Sequence, residues 1–348
     1  MIRVLIVDDS LIMCKIIAKE LSKLSDIEVI GYASNPYIAR DKIVELQPDV
    51  VTLDIEMPRM DGLSFLAKLM KYFPLPIVIV SYLTSSQSEK ALKAIELGAV
   101  EVVDKPANNS FTEAFSRKLI LAIRTAALTQ VDRSQTREDS GFIKSRPPKM
   151  LFTGKILAIG ASTGGIRAIE RILTDFPSDC PPTLIVQPLP TKFVTYVADK
   201  LNKVCAAQVC EAKDYDLVLP GKVLIAPGDL HMTLEKEYNQ YYVRLKEGPP
   251  IHFHRPSIDV LFYSVARSAG NNAIGIILTG LGIDGAKGLL AMQQSGAVTL
   301  AEDEEDCEVV DMPKEAIKLN AANLVVPLAE MSEVLLTLTS LILPRECK

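Results

Sequence analysis

Tryptophan is absent from this chain, and only His231, His252 and His254 are available as neutral-pH bases among its 348 residues. Six cysteines occur, none in a C-x-x-C pair, so they read as reduced, mostly buried thiols of a cytoplasmic protein. There is no basic tract, and the net charge of −5 argues against nucleic acid or an anionic membrane surface as the main partner. No apolar run is long enough to span a bilayer, so direct membrane insertion is not expected. Internal repeats and low-complexity segments are also missing. The opening run from Met1 to Asp9 reads as a strand and not as a signal peptide.

What is present fits about two α/β domains. Residues 1–126 alternate short β-branched runs with amphipathic stretches. Strands are expected at 3–7, 28–32, 50–53, 77–80 and 101–103, with helical spacing at 11–24 and 38–46 between them. Five such units predict a doubly wound, five-stranded parallel sheet. Residues 127–152 turn polar, and Arg146-Pro147-Pro148 cannot extend a helix, so this stretch is expected to be an interdomain linker. From 153 to 348 the alternation resumes, with strands expected at 155–159, 183–186, 222–226, 273–278 and 298–301. These apolar runs predict a second, mostly parallel sheet with helices on both faces. Leucine spacing in 331–343 predicts a helix packed on the core.

In the first domain Asp8 and Asp9 follow the first expected strand, Asp54 the third, Ser81 the fourth and Lys105 the fifth. Groups at the carboxyl ends of parallel strands converge on one crevice. Three carboxylates there call for a hard divalent cation such as Mg²⁺, which leaves Asp54 able to attack phosphorus. Lys105 supplies a compact positive charge for phosphoryl oxygens, and the Ser81 hydroxyl can bond the phosphorylated aspartate. The blocks Val7-Asp8-Asp9-Ser10, Leu53 to Gly62 and Val103-Asp104-Lys105-Pro106 resemble a response-regulator receiver domain. That resemblance implies phosphorylation at Asp54, magnesium held by Asp8, Asp9, Asp54 and the Glu56 carbonyl, and a chemotaxis histidine kinase as phosphodonor. The usual switch aromatic of such domains is replaced by Val102.

In the second domain Gly160-Ala161-Ser162-Thr163-Gly164-Gly165 follows an apolar strand, as a strand-to-turn nucleophile is written. The next helix offers backbone N–H groups to an oxyanion. Asp284 lies in a second glycine turn and is the candidate for orienting a base. Gly280-x-Gly282-x-x-Gly285, with Glu302 about 20 residues on, also mimics a dinucleotide-binding loop. Asp284 would then repel the pyrophosphate.

Residues 155 to about 335 resemble the catalytic domain of the chemotaxis receptor methylesterases. The resemblance rests on the Ser162 block and on 225–232, 254–262 and 278–286. It implies a phosphorylation-regulated serine hydrolase that demethylates glutamyl methyl esters and deamidates glutamines on methyl-accepting chemoreceptors. Ser162 would be the nucleophile, Asp284 the orienting acid, and Thr163 and Leu281 would shape the oxyanion site, with no cofactor. The family's base lies in a Gln-His-Met-Pro stretch, which here reads Gln187-Pro188-Leu189-Pro190, so Pro188 occupies the triad histidine position. In another serine hydrolase, loss of the base costs on the order of 10⁶ in turnover. His231 and His254 match positions where the family also has histidine, whereas His252 does not. His254 is the candidate substitute base and His252 the other; on an extended strand both would point to one side. The alternative is a disarmed phospho-switch that binds receptors or drains phosphate.

Overall fold

Runs of valine, isoleucine and leucine flanked by polar turns fold as buried strands wherever the sequence places them at the centre of a sheet. The computed structural model describes residues 1–57, 62–83, 85–106, 112–129 and 153–340, in two compact units, Met1–Thr136 and Arg137–Lys348. In the first, β1 (Ile2–Val7), β2 (Ile27–Ala33), β3 (Val50–Leu53), β4 (Ile77–Ser81) and β5 (Glu101–Asp104) form a parallel sheet in the order β2-β1-β3-β4-β5. The connecting helices are α1 (Leu11–Leu21), α2 (Pro36–Leu46), α3 (Gly62–Tyr72), α4 (Ser85–Glu96) and α5 (Glu113–Leu128). Side chains of Ser10, Asn35 and Thr112 accept backbone N–H groups at the starts of α1, α2 and α5, which fixes where those helices begin. Helix α1 stops three residues before the expected end, because the Ser22 amide bonds back to Ala18 and closes it. Helix α5 continues to Leu128, two residues into the stretch read as linker, and residues 130–152 lie outside the described residues.

The second unit continues with β6 (Ile156–Gly160), α6 (Gly165–Leu173), β7 (Thr183–Val186), α7 (Thr191–Val204), β8 (Gln208–Glu211) and β9 (Lys222–Ile225). Next come the hairpin strands β10 (His231–Glu237) and β11 (Gln240–Lys246), then α8 (Ile258–Ala269), β12 (Ala273–Ile277) and α9 (Ala286–Gln294). The unit closes with β13 (Val298–Glu302), α10 (Asp311–Lys318), β14 (Leu324–Val326) and α11 (Leu328–Thr339). Its seven-stranded parallel sheet has the order β14-β13-β12-β6-β7-β9-β8, while β10 and β11 pair antiparallel to each other. Helix α11 buries Met331 and Leu335, as its leucine spacing predicts; residues 341–343 of that segment are outside the described residues. Among the described residues, no helix is long and apolar enough to cross a membrane.

Candidate functional sites

In the first unit, five residues singled out from the sequence meet at the carboxyl edge of the sheet. Lys105 Nζ lies 2.7 Å from Asp8 Oδ2 and 2.6 Å from Asp54 Oδ2, all three groups being buried. Asp8 also accepts from the Ser10 amide (2.8 Å) and Asp54 from the Glu56 amide (3.1 Å). Burial pushes the Asp8 carboxyl up, although Lys105 opposes it. Burial likewise opposes the charge on Lys105, yet Asp54 and Asp8 hold the ammonium above its usual range. Carboxylate oxygens of Asp8, Asp9 and Asp54 come within 4.8 Å of one another, a hard donor set that fits Mg²⁺. Ser81 Oγ is buried without a hydrogen-bond partner among the described residues, and Val102 packs inside. Sequence reasoning missed Tyr82, whose ring centroid is 5.4 Å from Lys105 Nζ; adjacency to Ser81 was its only signal. The Glu56 side chain is exposed, 3.7 Å from Lys90 Nζ.

In the second unit, the direction of chain progression across the sheet reverses at β6, whose neighbours are β12 and β7. Loops after these three strands therefore open onto one crevice. Ser162 stands at their junction. Its amide donates to Thr279 O (3.0 Å), and its carbonyl accepts from Gly165 N (2.8 Å) and Gln187 Nε2 (2.9 Å). The close fit needs glycine: a Cβ on Gly280 would lie 2.7 Å from Ser162 Cβ, and Gly164 adopts φ +80° above Glu308. Thr279 Oγ1 lies 3.1 Å from the carbonyl of buried Thr163, while Leu281 is half-buried in the loop after β12. Pro188 follows Gln187 directly and has no group able to take a proton.

Asp284 is buried and saturated with donors. Its Oδ1 accepts from Ser257 Oγ (2.9 Å) and the Asp259 amide (3.1 Å), and its Oδ2 accepts from the Ile258 amide (2.8 Å). These groups belong to the start of α8, so the carboxylate faces the positive end of a helix. Next to it, Asp259 Oδ1 accepts from Gly288 N (2.7 Å), and Asp259 Oδ2 lies 3.4 Å from His252 Nε2. Burial, with the Asp284 charge adding to it, raises the Asp259 carboxyl above its usual range. Polar atoms of His252, Asp259 and Asp284 all lie within 4.8 Å of one another.

The two adjacent histidines do not share one side of a strand. Ile251 and His254 exchange backbone hydrogen bonds (3.0 and 2.8 Å) around His252 and Phe253, at φ +48° and +67°. This is a two-residue turn left-handed at both central positions, where Asn-Gly is the favoured sequence. Holding bulky residues there costs about 1 kcal/mol each. The turn brings His252 to the two acids. His231 is committed elsewhere, its Nε2 at 3.0 Å from Pro249 O and its Nδ1 accepting from the Ser257 amide at 3.2 Å.

Glu302 serves no dinucleotide. It is fully buried, accepts from the Thr279 amide through Oε2 (2.7 Å), and has no partner at Oε1 among the described residues. Burial, with Asp306 and Glu308 adding charge, pushes it up to about 7. Gln187, Thr279 and Asp259 lie in motif blocks but were given no role from the sequence. Only Asp259, two residues past the serine that opens α8, carried a local signal there.

The CheB methylesterase family model matches residues 157–335, and the response regulator receiver domain model matches residues 4–114. A protein-glutamate methylesterase/protein-glutamine glutaminase 2 of Syntrophus aciditrophicus is 49% identical over 95% of this chain and 97% of its own. The protein-glutamate methylesterase/protein-glutamine glutaminase of Salmonella typhimurium is 46% identical over 96% of each chain. Among solved structures, the CheB methylesterase catalytic domain of Thermotoga maritima is 36% identical with a TM-score of 0.53, covering 54% of this chain and 100% of that one.

Proposed function

Because the chain belongs to the CheB methylesterase family, with a receiver domain ahead of the methylesterase domain, we propose that it is a phosphorylation-regulated protein-glutamate methylesterase and protein-glutamine deamidase. Its substrates are methylated glutamates and glutamines of chemoreceptors, and its phosphodonor is a chemotaxis histidine kinase in the cytoplasm. The observation that carries the reading is Ser162, held at the reversal point of the parallel sheet by bonds to the loops after β7 and β12. Ser162 Oγ attacks the ester or amide carbonyl. Backbone amides at the start of α6 and around Thr163 and Leu281 receive the oxyanion. Methanol or ammonia leaves, and water then releases glutamate.

In the receiver unit Asp54 accepts the phosphoryl group, Lys105 neutralises its oxygens, and the Ser81 hydroxyl, without a partner among the described residues, bonds it. Asp8, Asp9 and Asp54, with the Glu56 carbonyl, would hold Mg²⁺, which offsets the negative charge gathered during transfer. Pro188 favours a second reading, a switch that binds receptors without hydrolysing them. Methanol release from methylated chemoreceptor separates the two. Release that Ser162→Ala abolishes supports the enzyme; release that appears only in Pro188→His supports the disarmed switch.

A further inference from the structure

We propose that His252 is the general base of this methylesterase, taking the role that Pro188 cannot fill, with Asp259 as its orienting carboxylate. The inference rests on the hydrolase reading above. Elimination narrows the choice first. Of the chain's three histidines, His231 uses both ring nitrogens to hold the Pro249 carbonyl and the Ser257 amide. Among the described residues, the cluster of Asp259 and Asp284 includes His252, whose Nε2 lies 3.4 Å from Asp259 Oδ2. An imidazole backed by a buried carboxylate is the arrangement in which a base is oriented and its cation stabilised. Hydrogen bonds of this kind are commonly long before substrate binds.

Placement agrees. The start of α8 bears Asp259 and lies over the strand ends that carry Ser162 and Asp284. A Cβ on Gly160, two residues before Ser162, would meet Ile258 Cγ2 at 2.2 Å, and one on Gly285 would meet the same atom at 2.6 Å. Asp284 binds the Ile258 and Asp259 amides and so fixes the carboxylate that faces His252. Asp284 then acts as a positioning residue through α8. The strained turn explains itself in the same terms. His252 and Phe253 occupy left-handed positions that favour Asn-Gly, and that conformation brings the imidazole to the acids. The His252 side chain is 33% exposed while its Nε2 meets Asp259.

In the proposed reaction the Ser162 hydroxyl proton passes to the free ring nitrogen of His252 as Oγ bonds the ester carbonyl carbon. The imidazolium, paired with Asp259, returns that proton to the departing methoxide, giving methanol and an acyl-serine. Water then loses a proton to His252 as it attacks the acyl carbon, and the proton goes back to Ser162 Oγ as glutamate is released.

The experiment uses the full chain with methylated chemoreceptor and measures methanol release across pH for wild type, His252→Gly, His252→Gln, Pro188→His and Ser162→Ala. Glycine suits φ +48°, so His252→Gly relieves strain and its melting temperature, recorded alongside, is expected to hold or rise. Its kcat is expected to fall by about 10²- to 10⁴-fold with KM nearly unchanged, and added imidazole is expected to restore part of the rate. His252→Gln is expected to lose the same turnover and the ascending limb of the pH profile. Unchanged kcat and pH profile in both variants would overturn the base assignment and leave the Ser162 reading standing. Release seen only in Pro188→His would overturn it as well. Activity abolished by a chelator and restored by Zn²⁺ alone would replace it with a metal held by His252, Asp259 and Asp284. If no variant gives release that Ser162→Ala removes, the hydrolase reading itself falls and takes the inference with it.

Discussion

A carboxyl that burial pushes up to about 7 lies directly behind Ser162. Glu302 holds the Thr279 amide, and the Thr279 carbonyl holds the Ser162 amide, so one buried acid anchors the loop that presents the serine. Burial moves its proton loss from the ordinary 4.5 to about 7. The folded state therefore binds this proton more tightly than the unfolded chain does. The resulting stability is fully present below about 4.5 and is lost as pH rises through about 7. That interval corresponds to roughly 3 kcal/mol. Glu302→Gln keeps an acceptor for Thr279 and removes the charge. Denaturant titration at about pH 5 and about pH 8 is expected to show the second unit of wild type losing roughly 2.5 kcal/mol more than the variant, part of the loss being already present at pH 5. Equal losses in the two proteins would refute this account of Glu302.

Helix α8 is the element on which the second site turns, and its start is held from two directions. Ser257 caps the helix through the Val260 amide (3.4 Å) while donating to Asp284, which itself binds two further amides. Ser257→Ala is expected to cost about 1 kcal/mol as a lost cap. Asp284→Asn is expected to cost about 1–3 kcal/mol, because an amide nitrogen then faces backbone donors. Both remove the same contact, so the double variant should cost less than the two singles together, by 0.5 kcal/mol or more in a denaturant-based cycle. Strict additivity would mean that the two residues act separately. This helix also marks where the sequence stops being legible. Most parallel strands were readable because each carries an apolar run, and the receiver residues because each ends such a run; parallel strand β8 was not, since Gln208-Val209-Cys210-Glu211 has no such run. Strands β10 and β11 were not, since Glu235, Lys236 and Glu237 face water beside a short buried stretch. Strand β14 is three residues long with two exposed, which leaves no periodicity to read. The His252 turn was read as extended because Ile-His-Phe-His carries neither asparagine nor glycine, the residues that announce left-handed backbone. Pro188 stood out only through the family resemblance, and Glu302 only through a glycine pattern that mimics a nucleotide loop and that Asp284 argues against.

At the scale of the whole chain, each unit has its own buried core and places its chemistry at the carboxyl edge of a parallel sheet. The receiver unit is charged before any phosphate arrives: Lys105 already pairs with Asp8 and Asp54 inside the protein. Removing Lys105 would leave two buried carboxylates facing each other, so that pairing serves the fold as well as the switch. The Ser81 hydroxyl contributes no such bond among the described residues, its oxygen being buried and without a partner there. Its contribution is therefore expected to appear only with phosphate on Asp54. In the full chain, a small-molecule phosphodonor with Mg²⁺ is expected to raise methanol release about 5-fold or more, the usual lower range of coupling between sites. Asp54→Asn is expected to incorporate no phosphate and show no stimulation. Ser81→Ala is expected to incorporate phosphate and yet gain little release, because the hydroxyl links phosphorylation to loop position and not to phosphoryl transfer itself. Full stimulation in Ser81→Ala would place the link elsewhere, and Tyr82, over the Lys105 ammonium, would be the next residue to replace.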